Sequence, residues 1–195
     1  ILITVLRGAG YGKAAFTREH FQDLGKLLFA FGVIFWAYIG YSQYMLIWYA
    51  NIPIETEWFV PRQLGGWFFV SWILIIGHFA LPFVLLVTRW TKRFRNILVL
   101  IAIWMLAMFI IDVYWLLMPK VPEVALAEAT SWDQLQAAVD TGKVAIGWDP
   151  SILNLTALLG TLGLVVCGTF FFLGRASLAP TADPRLSEAL AFENF

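Results

Sequence analysis

Four stretches of the chain are almost unbroken hydrocarbon: residues 25–49, 67–88, 97–118 and 151–174. Each is long enough to cross a bilayer core of about 30 Å as a helix rising about 1.5 Å per residue. Between them the pattern changes. Segments 50–66 and 119–150 mix acids, prolines and tryptophans, the "RWTKRFRN" connection at 89–96 is basic, and residues 1–24 and 175–195 are more polar flanks. Because a helix satisfies its own backbone in lipid, the predicted fold class is all-α, an integral membrane four-helix bundle at 25–174 with a lead-in at 1–24 and a tail at 175–195.

The polar positions inside these runs are few, and their depths can be compared at about 1.5 Å per residue. Measured from the 50–66 side, Gln43 lies about 9 Å down, Tyr38 and His78 about 16 Å, Ser71 about 6 Å, Asp112 about 9 Å, Asn154 about 5 Å and Thr161 about 15 Å. Tyr38, His78 and Thr161 therefore form one layer, and Ser42, Gln43 and Asp112 another one to two turns above. Tyr38, Tyr41, Ser42, Met45 and Tyr49 share a helical face. So do Ser71 with His78, and Asn154 with Thr161. Pro82, four residues beyond His78, cannot donate to its carbonyl. The other half of each run holds little beyond Thr88 and Thr169, so the polar ladder is open toward one side only.

Lys26, at a span end, and Asp112 are the only formally charged side chains inside the four runs. A carboxyl in hydrocarbon is costly, and intramembrane ionisable residues are candidates for function. Grouped with an imidazole and phenols, Asp112 is suited to taking up and releasing protons. The alternative for Asp112 and His78 is packing alone, through hydrogen bonds between helices.

Composition agrees with the spans: 61% of the residues are hydrophobic and 13% charged, against about 25% charged in a soluble domain. Of 13 lysines and arginines, only Arg62, Lys120 and Lys143 flank the 50–66 and 119–150 side. Arg7, Lys13, Arg18, Lys26, Arg89, Lys92, Arg93, Arg95, Arg175 and Arg185 lie on the other. Basic residues remain preferentially cytoplasmic, so both ends are expected in the cytoplasm and the two acidic loops outside. Those loops carry Glu55, Glu57, Glu123, Glu128, Asp133, Asp140 and Asp149, either as a solvated surface or as a docking face for an extrinsic subunit. Trp48, Tyr49, Trp58, Trp67, Trp90 and Trp148 fit interfacial belts.

In the longer loop, "SWDQLQAAVDTG" predicts a short helix with a Ser131/Gln134 capping box and Gly142 at its end. Its Trp132, Leu135 and Val139 stripe is expected on the membrane interface or against a partner. The lone Cys167 excludes disulfides and thiolate metal sets within the chain. Covalent haem would need a CxxCH motif, which is absent. His20 falls outside the spans, so paired histidine haem ligation with His78 is not expected. The opening "ILITVLRGAG" carries no initiator Met and reads as the last turns of an earlier helix, as in part of a longer polypeptide.

"EHFQDLGKLLFAF" (19–31), "YSQYMLIWYANIPIETEWF" (41–59), "GHFALPFVLLVTRWTKR" (77–93) and "DVYWLLMP" (112–119) occur in order. Together they resemble the NrfD-like membrane subunits of bacterial alternative complex III, most nearly the ActF type, the second of two such subunits. The resemblance implies that this is the second bundle of a longer NrfD-like polypeptide in the bacterial inner membrane. It implies a subunit of a quinol-oxidising electron-transfer complex with no redox cofactor of its own. Quinol, iron–sulfur clusters and haem c would belong to partner subunits: a sister NrfD-like subunit, an extrinsic iron–sulfur subunit and haem-c subunits. His78 in "GHFALP", Asp112 in "DVYW" and Tyr41, Ser42 and Gln43 in "YSQY" match the family's polar intramembrane positions. The expected role is an outward-facing proton relay of Asp112, His78, Tyr38, Tyr41, Ser42 and Gln43. Direct quinol binding and a structural anchor for extrinsic subunits are the alternatives.

Overall fold

A computed structural model describes residues 1–11, 16–146, 152–175 and 183–191. Lys13, Trp148, Asp149 and Ser151 lie outside the described residues. The fold is all-α, with no strand among the described residues. Among the described residues four helices are long and apolar enough to cross a membrane: Arg18–Ala50, Gly65–Val87, Arg95–Leu117 and Asn154–Leu173. The chain is thus a multi-pass membrane protein.

A short helix, Leu2–Gly8, precedes the first span, which begins at Arg18, ahead of the apolar run. The "REHFQDLGKL" segment is amphipathic and buries Phe21, Gln22 and Gly25 on one side. The helix ends at Asn51, whose left-handed backbone (φ 49°) breaks the ladder. Two of the spans contain wide π-helical turns, Leu28–Phe35 in the first and Ile75–Ala80 in the second. Pro82 supplies a local reason for the latter. It has no N–H for the carbonyl of His78, and a π turn pairs each carbonyl one residue further on.

The first three spans pack on one another. Phe21, Val33, Leu86, Leu98, Ile101 and Met105 form their buried core, with Ile3, Phe16, Phe29 and Phe79 packed against it. The close approaches fall at glycines. A Cβ on Gly25 would lie 2.7 Å from Lys92 Cγ, and one on Gly77 2.8 Å from Met108 Sδ. None of residues 154–173 is buried, so the fourth span presents its apolar surface outward along its whole length.

The predicted short helix forms as Trp132–Asp140 and stops before Gly142 (φ 74°). Ser131 Oγ accepts from the Gln134 N–H, while Gln134 Oε1 accepts from the backbone and hydroxyl of Thr130. Its stripe is not left for the membrane or a partner. Leu135 is buried, Val139 reaches Gly65 at the start of the second span, and only Trp132 remains exposed.

Candidate functional site

Asp112 and His78, the two ionisable groups singled out in the spans, are both buried, at 8% and 3% exposure. Trp36 joins them. Its indole Nε1 donates to Asp112 Oδ2 at 2.9 Å, and its ring stacks on the His78 imidazole with centroids 4.2 Å apart and planes 10° from parallel. Three spans thereby contribute one aromatic, one imidazole and one carboxyl to a single cluster. His78 Nδ1 is buried and has no hydrogen-bond partner among the described residues. The wide turn of the second span presents a backbone partner here: the Gly77 carbonyl accepts from Trp104 Nε1 at 2.8 Å.

The remaining predicted members are placed differently. Tyr38 and Tyr41 are 66% and 67% exposed, and Gln43 is also exposed. Ser42 is half-buried. The helical face that groups the tyrosines is real, but positions 36 and 38 lie about 200° apart on a helix. With Trp36 turned toward His78, Tyr38 must point away. Tyr41 Oη sits 4.0 Å from Met45 Sδ on that same outer face. The structure brings together Asp112 and His78 but does not bring Tyr38, Tyr41 or Gln43 to them. Thr161 donates to the Ala157 carbonyl of its own helix.

Between the Asp112 cluster and the 50–66 loop lies a second polar set. Arg62 is 3% exposed. Its Nε donates to the Trp115 carbonyl at 3.2 Å, Nη2 to the Leu116 carbonyl at 2.7 Å and Nη1 to the Trp58 carbonyl. The guanidinium lies 3.4 Å from the centre of the Trp58 ring and 5.3 Å from that of Trp115. It therefore caps the carbonyl end of the third span, one turn beyond Asp112, where a cation complements the helix dipole. Burial lowers its pKa to about 10, which leaves it charged at neutral pH. Ser71 completes the set. It accepts from Trp115 Nε1 at 2.8 Å and faces the carbonyls of Arg62 and Trp67 at 2.9 and 3.0 Å.

Trp36 and Arg62 were not singled out from the sequence as site residues. For Trp36 a signal existed. A tryptophan at mid-span, away from the interfacial belts, has an N–H that needs a partner in a dry environment. The same logic applies to Trp104. For Arg62 the signal is weaker, because a loop arginine is ordinarily solvated. Protein-family models and curated proteins were compared with this chain, and none matches.

Proposed function

We propose that the chain is a membrane subunit of a quinol:acceptor oxidoreductase of the alternative complex III kind, NrfD-like, and that it carries protons rather than electrons. Its setting in this reading is the bacterial cytoplasmic membrane, with both ends of the chain cytoplasmic. Redox cofactors reside in the partner subunits: the sister NrfD-like subunit, the iron–sulfur subunit and the haem-c subunits. The observation that carries the proposal is the buried Asp112–Trp36–His78 cluster, assembled from three spans. A carboxyl held at Oδ2 by an indole keeps Oδ1 for a proton, and His78 Nδ1, buried without a hydrogen-bond partner, is a second proton site alongside. A tryptophan N–H does not titrate, so Trp36 positions the two groups, and transfer between them passes through water or a ligand hydroxyl.

Within this reading the relay is centred on Asp112 and His78, with half-buried Ser42 on the first span. Tyr38, Tyr41 and Gln43 join it only through a neighbouring subunit laid on their outer face. The test is Asp112→Asn in the assembled complex. Proton coupling should fall while assembly and the partners' haem content are retained; full coupling would sink the proposal. Direct quinol binding is the second reading, favoured by the open Nδ1. A photoreactive quinone crosslinking to the His78 turn would establish it in place of the relay.

A further inference from the structure

From Trp36 to Ala50 the first span contains no buried residue. Along this length Ile39, Gln43, Leu46 and Ala50 follow the four-three-four spacing of a helix-pairing seam. On a helix these positions fall within about 60° of one another. All four are exposed, Ile39 at 49% and Leu46 at 69%. Tyr41 lies about 160° round from Gln43, on the far side. The apolar members of the seam can face lipid at no cost, but Gln43 cannot. Its carboxamide carries two donors and an acceptor, and has no hydrogen-bond partner among the described residues. At about 9 Å in from Tyr49 it is within the hydrocarbon, which offers it no partner. An amide at this depth is satisfied by another helix.

The chemistry of the seam selects the partner. A carboxamide is its own complement, since each amide both donates and accepts. Copies of one chain enter the bilayer in the same orientation, so a two-fold axis along the membrane normal sets identical residues opposite one another at equal depth. Gln43 then meets Gln43 of the second copy, while Ile39, Leu46 and Ala50 meet their own counterparts. A single polar residue in an apolar seam also fixes the register. A slip of one turn sets the amide against Ile39 or Leu46 and leaves it unpaired. We propose that the Ile39–Ala50 seam is the pairing surface for a second copy of this chain, joined through the first spans with Gln43 at its centre. This assignment stands whether or not the chain moves protons.

The test uses the full chain with its one native cysteine removed as Cys167→Ser. Oxidation in the membranes of the expressing cell should join two copies through Leu46→Cys, and not through Tyr41→Cys on the far side. Energy transfer between labelled copies, followed on dilution in detergent, gives the dissociation constant of the pair. Gln43→Leu should raise it roughly tenfold, the worth of a hydrogen bond between spanning helices, and Tyr41→Leu should leave it unchanged. Circular dichroism should show all variants equally folded. Equal crosslinking through Tyr41→Cys would overturn the assignment. So would a Leu46→Cys variant that stays single or joins a different chain, or a dissociation constant that Gln43→Leu does not move.

Discussion

The Trp36 indole lies flat on the His78 imidazole, 4.2 Å between ring centres, while its N–H reaches Asp112 Oδ2 at 2.9 Å. One side chain therefore fixes the orientation of both ionisable groups from a third helix. Stacking and donation are separable functions of the indole, and substitutions can remove them one at a time.

Replacing Trp36 with Phe keeps a ring on His78 and removes the donor to Asp112. The stranded carboxyl should lower stability by about 1–3 kcal/mol. Trp36→Leu loses the stack as well and should cost about 0.5–1.5 kcal/mol more. Unfolding in mixed micelles, followed by circular dichroism, measures both. Infrared difference spectra should show the Asp112 carboxyl band displaced in each variant.

Arg62 joins the 50–66 loop to the end of the third span through three carbonyls and two indole faces. Arg62→Lys should cost about 2 kcal/mol or more, since a lysine cannot make the planar fork or its stack. With the folded-state pKa at about 10, the guanidinium is charged in folded and unfolded chains alike at lower pH. The stability gap between wild type and Arg62→Gln should accordingly be flat from about pH 5 to 9. Only above pH 10 does the unfolded chain hold a proton the folded one has released, and there stability rises with pH on this group's account. A slope in the gap below pH 9 would contradict this assignment.

Gly25 and Gly77 make a paired comparison. An added Cβ meets the Lys92 side chain near its root at 2.7 Å in one case, and the Met108 sulfur at 2.8 Å in the other. A thioether adapts by rotating, whereas Lys92 Cβ, 3.0 Å from the added atom, moves only with its backbone. Gly25→Ala should therefore cost about 1–3 kcal/mol, as overpacking does, and Gly77→Ala less. Thermal midpoints in the same detergent test the ranking.

Ser71 and Trp115 should be coupled. Ser71→Ala leaves the Trp115 N–H without its 2.8 Å acceptor, and Trp115→Phe removes the need for one. A double-mutant cycle should return about 0.5–1.5 kcal/mol of interaction; additive losses would show the contact to be energetically idle.

The spans were legible because hydrocarbon length and backbone satisfaction leave a chain this apolar few alternatives. Asp112 and His78 were legible as well, since a polar group at such depth stands out against its neighbours. What joins them was not. Depth arithmetic places Tyr38 level with His78 but carries no information on which side of the first span faces inward. That side was decided by bulky Trp36, a residue that counts as hydrophobic in any periodicity. The short helix shows the same gap. Its stripe at Trp132, Leu135 and Val139 is plain in the sequence, while its partner, the glycine turn at the start of the second span, is a tertiary fact. Arg62 was read as a topology marker, and its burial depended on two indoles distant from one another along the chain.

The wide turns at Leu28–Phe35 and Ile75–Ala80 also bear on how this sequence can change in length. Each houses a surplus residue that a regular α-helix would carry round by about 100°. A one-residue deletion there lets the turn tighten to an α-helix and leaves the downstream half of the rod facing as before. The same deletion in the regular helix between Trp36 and Ala50 swings everything beyond it by more than a quarter turn. The two wide turns are where the bundle can absorb a change in length.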